Sequence, residues 1–131
     1  MTQEEQQRFV NDLSARVPYG LQVQVSGVFS ETVEARLKYI DYYNRVYLYG
    51  YNFGVEMINR KTNELQIKPF LRPISEKEKE EVCSNFARFG NTLDNWVQAV
   101  NFLNETHCDY NGWIDKDFAL PAPDGMYDFS D

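Results

Sequence analysis

His107 is the only histidine of the chain, and Cys108 and Asp109 follow it directly. A histidine beside a thiol or a carboxylate is the combination that nucleophilic and acid–base catalysis uses. Adjacent positions in one loop do not by themselves bring side chains together. The sequence therefore offers His107, with Asp109 or Cys108, as a candidate catalytic site. The competing interpretation is a structural histidine at a helix end, where its cation favours the helix dipole.

A stripe of tyrosines forms the second candidate site. Tyrosine, arginine or phenylalanine occupies every second position of one stretch: Tyr43, Arg45, Tyr47, Tyr49, Tyr51 and Phe53. Side chains alternate across a strand, so we predict that these residues share one face, with Val46 and Leu48 on the other.

This stripe has three interpretations. Tyrosine and arginine are enriched at protein interfaces. Aromatic rings interleaved with bases also stack nucleobases. Alternatively, the tyrosines cover the sheet beneath helices, with their hydroxyls at the rim. The predicted binding residues are Tyr43, Arg45, Tyr47, Tyr49 and Tyr51.

The sequence predicts neither a metal nor a cofactor. Cys83 and the residues around His107 lack the paired spacing, such as C-x₂-C, of structural zinc sites. The glutamates of the segment 76–81 alternate with lysines, which is typical of a solvated helix face. The chain contains no Walker A loop and no G-x-G-x-x-G, G-x-S-x-G or H-E-x-x-H motif. A protein that is not an enzyme is the favoured interpretation.

Composition and charge limit the class of protein. A chain of 131 residues with 43% apolar and 15% aromatic residues is expected to form one folded domain, 1–131. Residues 21–74 carry seven bases and five acids, whereas residues 75–131 carry four bases and twelve acids. The net charge of −7 opposes a general coat for nucleic acid, so nucleic acid is the less favoured partner.

The compartment is predicted from what the chain lacks. No apolar run approaches the roughly 20 residues of a membrane span, so no membrane partner is expected. The polar, acidic N-terminus does not look like a signal peptide. We therefore expect a cytoplasmic protein, in which Cys83 and Cys108 are thiols.

The periodicities predict an α+β fold. An N-terminal helix over residues 2–16 begins at a Thr2–Glu5 capping box. A small antiparallel sheet of about four or five strands follows over residues 21–71, where Pro69 predicts a sheet edge or a strand end. Two C-terminal helices within residues 75–106 are expected to pack on one face of the sheet. The segment 107–131 is predicted to be a loop.

Three phrases of the chain are similar to those of known proteins. They are LSARVPYGLQVQV at Leu13–Val25, IKPFLRPIS at Ile67–Ser75 and HCDYNGWIDKDFALPAPDGMY at His107–Tyr127. Together they resemble a group of short, uncharacterised proteins of gut Bacteroidetes and their phages or prophages. The resemblance implies a bacterial cytoplasm and a mobile-element accessory protein, and it implies no activity and no functional residue.

These observations leave three functional hypotheses. The first is a non-catalytic accessory or adaptor protein that binds an unknown protein partner through the tyrosine face or the acidic C-terminal half. The second is a small enzyme that uses His107 with Asp109 or Cys108. The third is binding of single-stranded nucleic acid by the tyrosine and arginine face.

Overall fold

The computed structural model describes residues 1–73, Glu80 and residues 93–127. This part of the chain has an α+β fold, as predicted, with a helix, a six-stranded mostly antiparallel sheet and a second helix. No helix among the described residues is both long and apolar enough to cross a membrane. The elements are α1 (Gln3–Arg16), β1 (Gln22–Val25), β2 (Val33–Ile40), β3 (Arg45–Leu48), β4 (Gly54–Glu56), β5 (Ile67–Leu71), α2 (Leu93–Glu105) and β6 (Leu120–Pro121).

Helix α1 begins and ends where the sequence predicts. The Thr2 hydroxyl accepts a hydrogen bond from Glu5 N at 3.1 Å, and the Glu5 carboxylate accepts one from Thr2 N at 3.1 Å. This capping box satisfies two of the first N–H groups of the helix. A short 3₁₀ helix, Val17–Tyr19, follows α1, and Gly20 ends it with a left-handed φ of 74°.

The sheet has the strand order β4-β3-β2-β1-β5-β6. All neighbours are antiparallel except β5 and β6, which pair in parallel at Phe70 and Leu71. The sheet therefore has one strand more than the four or five predicted. Strand β6 was missed because two residues, one of them Pro121, are too few to show an alternating pattern.

Strand β5 does not lie at the edge of the sheet, because β6 lies beyond it. Pro69, which has no N–H to donate, is nevertheless accommodated within β5. It pairs with Val23 on one side, and the β6 pairing begins only at the following residue, Phe70. Among the described strands, no neighbour on the β6 side requires the N–H that Pro69 lacks.

Gln66 connects the chain after β4 with the chain after β1, two strands that are not neighbours in the sheet. Its N–H donates to Met57 O at 2.7 Å, after β4, and its carbonyl accepts from Ser26 N at 2.9 Å, after β1. Its side-chain amide also donates to Glu56 O at 2.8 Å. Because β4 is an edge strand and β1 an interior one, these bonds require the sheet to curl around the core.

The hydrophobic core lies between α1 and the sheet. Phe9 is fully buried, and Trp113 from the C-terminal segment packs on it edge to face, with 5.4 Å between ring centroids. The sheet supplies the other side of the core with Val23, Val25, Leu37, Val46, Leu48, Val55 and Ile67.

The C-terminal region confirms the prediction in part. Helix α2 corresponds to the last predicted helix, and it contacts α1. The helix predicted from Ser75 to Gly90 lies outside the described residues. Within the predicted loop 107–131, the segment Trp113 to Phe118 forms turns, and Asp117 has a left-handed φ of 63°.

Candidate functional site

Tyrosines of β2 and β3 lie on the face of the sheet that is turned away from the core. Val46 and Leu48 are buried, which confirms the predicted alternation within β3. Tyr39 and Tyr47 are cross-strand partners, and their rings stack with 4.4 Å between centroids and 12° between planes. Tyr39 remains 46% exposed. The outward face of the sheet is therefore aromatic.

Tyr49 extends this surface, and two basic side chains lie over its ring. The Arg36 guanidinium lies 5.0 Å from the centre of the Tyr49 ring, and Lys38 Nζ lies 5.8 Å from it. Both distances allow a cation–π attraction, which restrains the bases before any partner arrives. Half of Tyr49 is exposed. We call this surface the outer tyrosine patch: Tyr39, Tyr47, Tyr49, Arg36 and Lys38.

The Tyr47 ring rests on the backbone of Gly54, its cross-strand partner. A Cβ atom at Gly54 would lie 2.9 Å from Tyr47 Cζ, which is shorter than a van der Waals contact. Glycine at this position therefore lets the ring lie flat on the strand and stack on Tyr39.

Substitution Gly54→Ala is expected to move the Tyr47 ring off Tyr39 while the fold is retained. The expected change in stability is less than about 1 kcal/mol, because the ring can rotate away and alanine has the smaller conformational entropy when unfolded. Nuclear Overhauser effects between the Tyr39 and Tyr47 rings measure the stacking. Unchanged ring-to-ring effects in the variant would contradict this account.

The turn between β2 and β3 is a rigid tip that carries two exposed tyrosines. Asp41 Oδ1 accepts hydrogen bonds from Tyr43 N at 2.9 Å and from Arg45 N at 2.8 Å. Asn44 takes the left-handed φ of 63° that this tight turn requires. Tyr42 is 93% exposed and Tyr43 is 80% exposed. The side chain of Asp41 thus fixes a backbone whose aromatic residues point into solvent.

The five predicted binding residues do not form one stripe. Tyr47 and Tyr49 belong to the outer tyrosine patch, Tyr43 lies at the tip, and Arg45 lies exposed between them on β3. Tyr51 instead packs against the core and lies 5.3 Å from the Phe29 ring. The alternation ends because β3 stops at Leu48 and the chain turns at Gly50, which has φ 89°.

His107 is buried, with 1% of its surface exposed. Its Nε2–H donates to the Tyr19 carbonyl at 2.8 Å, which also identifies the tautomer. Its ring stacks on Tyr127 with 4.1 Å between centroids. Burial lowers the pKa of His107 to about 4, with further lowering by the Arg16 and Arg72 cations, while the Tyr19 bond acts in the opposite direction. His107 is therefore neutral at pH 7.

Asp109 and Cys108 have structural contacts of their own. The Asp109 carboxylate accepts from Trp113 N at 2.8 Å and from Ile114 N at 2.9 Å, so it caps the following turn. Cys108 is buried, with its Sγ 3.4 Å from Arg72 Nη2. The carboxylate of Asp109 thus orients a turn and makes no hydrogen bond to His107.

The Tyr127 hydroxyl lies between β1 and β5. It accepts from Gln22 N at 2.9 Å and donates to Phe70 O at 2.7 Å, in the position where the ladder bond between these residues would otherwise lie. Burial raises the pKa of Tyr127 to about 12, so the hydroxyl keeps its proton and can donate. Tyr127 therefore fastens the C-terminal segment to the sheet.

A buried ion pair lies beneath this segment. Arg16 Nε donates to Asp12 Oδ1 at 2.6 Å, and Asp12 Oδ2 accepts from Trp113 Nε1 at 2.7 Å and from Asn111 Nδ2 at 2.9 Å. Arg16 Nη2 donates to Cys108 O at 2.5 Å. One signal of this pair is present in the sequence. An acid and a base, Asp12 and Arg16, lie four residues apart among the apolar residues of α1.

No group of three or more histidine, cysteine or acidic side chains in the described part of the chain is placed to hold a metal ion. The chain matches no family model, no curated protein and no solved structure. Its function therefore has to be inferred from the chemistry of its own surface.

Proposed function

We propose that this chain is a non-catalytic protein-binding accessory protein whose contact surface is the outer tyrosine patch. The observation that carries the proposal is the outward placement of Tyr39 and Tyr49, each about half exposed. Contiguous exposed aromatic surface is typical of protein interaction sites. Tyrosine and arginine are also the residues that contribute most to binding at protein interfaces.

The patch is restrained before binding, which favours affinity. Tyr47 is held against Gly54 and Tyr39, and Arg36 is held over Tyr49. Side chains that are already ordered lose less conformational entropy when a partner docks. The patch thus has the rigid aromatic anchors typical of a recognition surface.

The charge of the patch indicates the chemistry of the partner. Arg36 and Lys38 lie in the basic part of an otherwise acidic chain, residues 21–74. An acidic partner segment is attracted to this region and repelled by the rest of the surface, which orients the encounter. The acidic C-terminal half, residues 75–131, is a second contact surface for such a protein, and it suits a basic partner.

A pull-down with the tagged chain from its host, at moderate salt and with and without nuclease, tests this function. We expect a stoichiometric protein partner that survives nuclease and is lost with the double substitution Tyr39→Ala and Tyr49→Ala. Binding is expected to fall at least about tenfold, because each anchor contributes roughly 1 kcal/mol or more. Retention of the partner by the double variant would overturn the proposal.

Tyr19→Ala is the matched control for this experiment. Tyr19 is also partly exposed, at 40%, but it lies in the 3₁₀ helix after α1 and outside the patch. We expect it to leave partner binding unchanged. Equal losses in both variants would indicate general damage to the fold and would count against a specific surface.

Single-stranded nucleic acid is the second candidate ligand, because cations lie beside exposed aromatic rings on a sheet. Two contacts weigh against it: Tyr39 and Tyr47 cover each other's faces, and Arg36 covers one face of Tyr49. This reduces the ring surface on which a base can stack. Binding of an oligonucleotide that weakens steeply with salt, and is lost with Tyr49→Ala, would favour nucleic acid over protein.

We assign His107 a structural role in this proposal. Its Nε2–H is engaged by Tyr19 O, and Tyr127 covers its ring. A general base needs an acceptor nitrogen within reach of its substrate, and with 1% of His107 exposed neither ring nitrogen is accessible from solvent. The proposed function therefore involves no catalysis by His107, Cys108 or Asp109.

A further inference from the structure

An open groove of about 390 Å³ lies beside the outer tyrosine patch. The hairpin tip, β4 and the turn after β4 form its walls, and α1 contributes one residue. Arg45, on the same outward face of β3 as Tyr47, connects the groove to the patch. The polar residues that line the groove are Gln6, Tyr43, Asn44, Arg45, Glu56, Arg60 and Asn63.

Arg45 is the one cation of the groove that no carboxylate of the described chain neutralises. Glu56 lies directly opposite Arg45 in the pairing of β3 with β4. Its carboxylate nevertheless turns to Arg60, with Nε to Oε1 at 3.3 Å. Within the described residues, the Arg45 guanidinium therefore makes no ion pair and no hydrogen bond through its side chain.

Three amide side chains join Arg45 at the groove. Gln6, Asn44 and Asn63 come from α1, from the hairpin tip and from the turn after β4. None of these amides makes a side-chain hydrogen bond within the part of the chain that the structure describes, although other amides, such as that of Gln66, are bonded. Polar groups from separate elements that converge on one concavity are typical of a ligand site.

We propose that this groove binds a carboxylate side chain from an acidic peptide segment of the partner protein, with Arg45 as its ion-pair partner. The inference rests on the proposed function, and it adds the chemistry of the partner. A guanidinium only donates hydrogen bonds, so the ligand must accept them. Arginine pairs with a carboxylate in a two-pronged geometry that fixes the direction of the segment.

Position and charge both favour a peptide over a small isolated anion. The groove is open to solvent and Tyr43 also lines it, so a bound segment can place a carboxylate at Arg45 and a neighbouring side chain on the exposed Tyr43 ring. The Glu56 carboxylate pairs with Arg60, so the two arginines leave the groove with one positive charge in excess, and the Arg45 side is the place for an incoming anion. A cationic ligand would meet an uncompensated arginine there.

Titration of the isotope-labelled chain with hexaglutamate, followed by nuclear magnetic resonance of arginine Nε–H and amide signals, tests the inference. Hexalysine and succinate serve as the comparison ligands. We expect saturable shifts at Arg45, Asn44 and Asn63 with hexaglutamate, weaker binding of succinate and no response to hexalysine. Arg45→Gln is expected to weaken hexaglutamate binding by about tenfold or more.

Lys61→Gln is the matched control, since Lys61 is an exposed cation in the turn after β4 that does not line the groove. It removes one charge and should weaken hexaglutamate by far less than Arg45→Gln. Equal losses in the two variants, shifts that avoid the groove, or succinate binding as tight as hexaglutamate would each overturn the inference.

Binding of the partner to the variants distinguishes a failure of the groove inference from a failure of the proposed function on which it rests. If Tyr39→Ala with Tyr49→Ala releases the partner and Arg45→Gln does not, the groove is not the acidic-segment site, while the binding function stands. If neither variant releases it, the proposed function fails as well. Loss of the partner in both, with Lys61→Gln still binding, is the result expected.

Discussion

Substitution Asp12→Ala is expected to lower the free energy of unfolding by about 3–5 kcal/mol, because it leaves the Arg16 cation buried without its counter-ion. Arg16 is fully buried, and its remaining side-chain contacts are the Cys108 carbonyl and the Tyr110 ring. Arg16 Nη1 has no acceptor among the described residues even in the native chain. A loss of this size is a large part of the 5–15 kcal/mol typical of a domain.

Asp12 also anchors the C-terminal segment to α1. Its Oδ2 accepts from Trp113 Nε1 and Asn111 Nδ2, which would lose a buried acceptor in the alanine variant. Asp12→Asn separates the two effects, since its amide oxygen can still accept while the charge is removed. We expect Asp12→Asn to fall between the native chain and Asp12→Ala in denaturant unfolding.

Lys116→Met is the control for the Asp12 prediction. Lys116 pairs with Glu5 at 3.4 Å and so links the same two segments, but this pair is partly exposed. Exposed pairs contribute little to stability because solvent screens them, and methionine keeps an aliphatic stem near Trp113. A loss in Asp12→Ala no larger than that in Lys116→Met would refute the assigned role of the buried pair.

The parts of the fold that depend on local pattern were predictable. The Thr2–Glu5 capping box and Gly20 defined α1 and its end, because capping and left-handed turns involve neighbouring residues. The alternation of Val46 and Leu48 with Tyr47 predicted that they lie on opposite faces of β3, but not which of the two faces is buried. These signals operate within a few residues, so one sequence contains them in full.

The parts that depend on distant contacts were not predictable. Gln66 bonds to residues after β4 and after β1, and Tyr127 bonds to β1 and β5. Nothing in a local window distinguishes these side chains from solvent-exposed ones. Strand β6 exists only because Leu120 and Pro121 lie beside the end of β5. Such contacts follow from the assembled fold and leave no periodic pattern.

The candidate surface was predicted in outline and changed in detail. Alternation correctly placed Tyr47 and Arg45 on one face of β3, and it left open whether that face is core or surface. It extended the stripe too far, because the turn at Gly50 redirects Tyr51. Tyr39 and Gly54, which hold Tyr47 in place, come from other strands, so the stripe alone did not identify them. Cross-strand partners require a register that alternation does not supply.

Acidification from pH 6.5 to pH 4.5 is expected to destabilise the chain through His107. Its pKa is about 4 in the folded chain and 6.5 in the absence of structure, so in this window the unfolded chain binds the additional proton. The stability contributed by neutral His107 is complete above pH 6.5 and declines as the pH falls toward 4. The loss amounts to at most about 3 kcal/mol, from roughly 1.4 kcal/mol per pKa unit.

The groups that face His107 explain why its cation is disfavoured. Arg16 comes from α1 and Arg72 follows β5, so two cations oppose a third. Tyr127 covers the ring, and its own raised pKa of about 12 keeps it neutral throughout this range. The Tyr19 carbonyl accepts from Nε2 and offsets only part of the burial. Protonation is therefore expected to loosen the contact between the C-terminal segment and the sheet.

Urea unfolding at several pH values between 4.5 and 7.5 measures this effect. His107 is the only histidine, and histidine is the side chain whose charge ordinarily changes between pH 5 and 8, so the slope above pH 5 reports mainly on this residue. His107→Asn is the variant to compare, because asparagine tolerates the left-handed φ of 57° at this position. We expect it to be less stable at pH 7.5, since the ring contact with Tyr127 is lost, and to show a flatter profile. A variant whose stability has the same pH slope as that of the native chain would show that a group other than His107 titrates. The docking of Tyr127 on the sheet would then not depend on a neutral histidine.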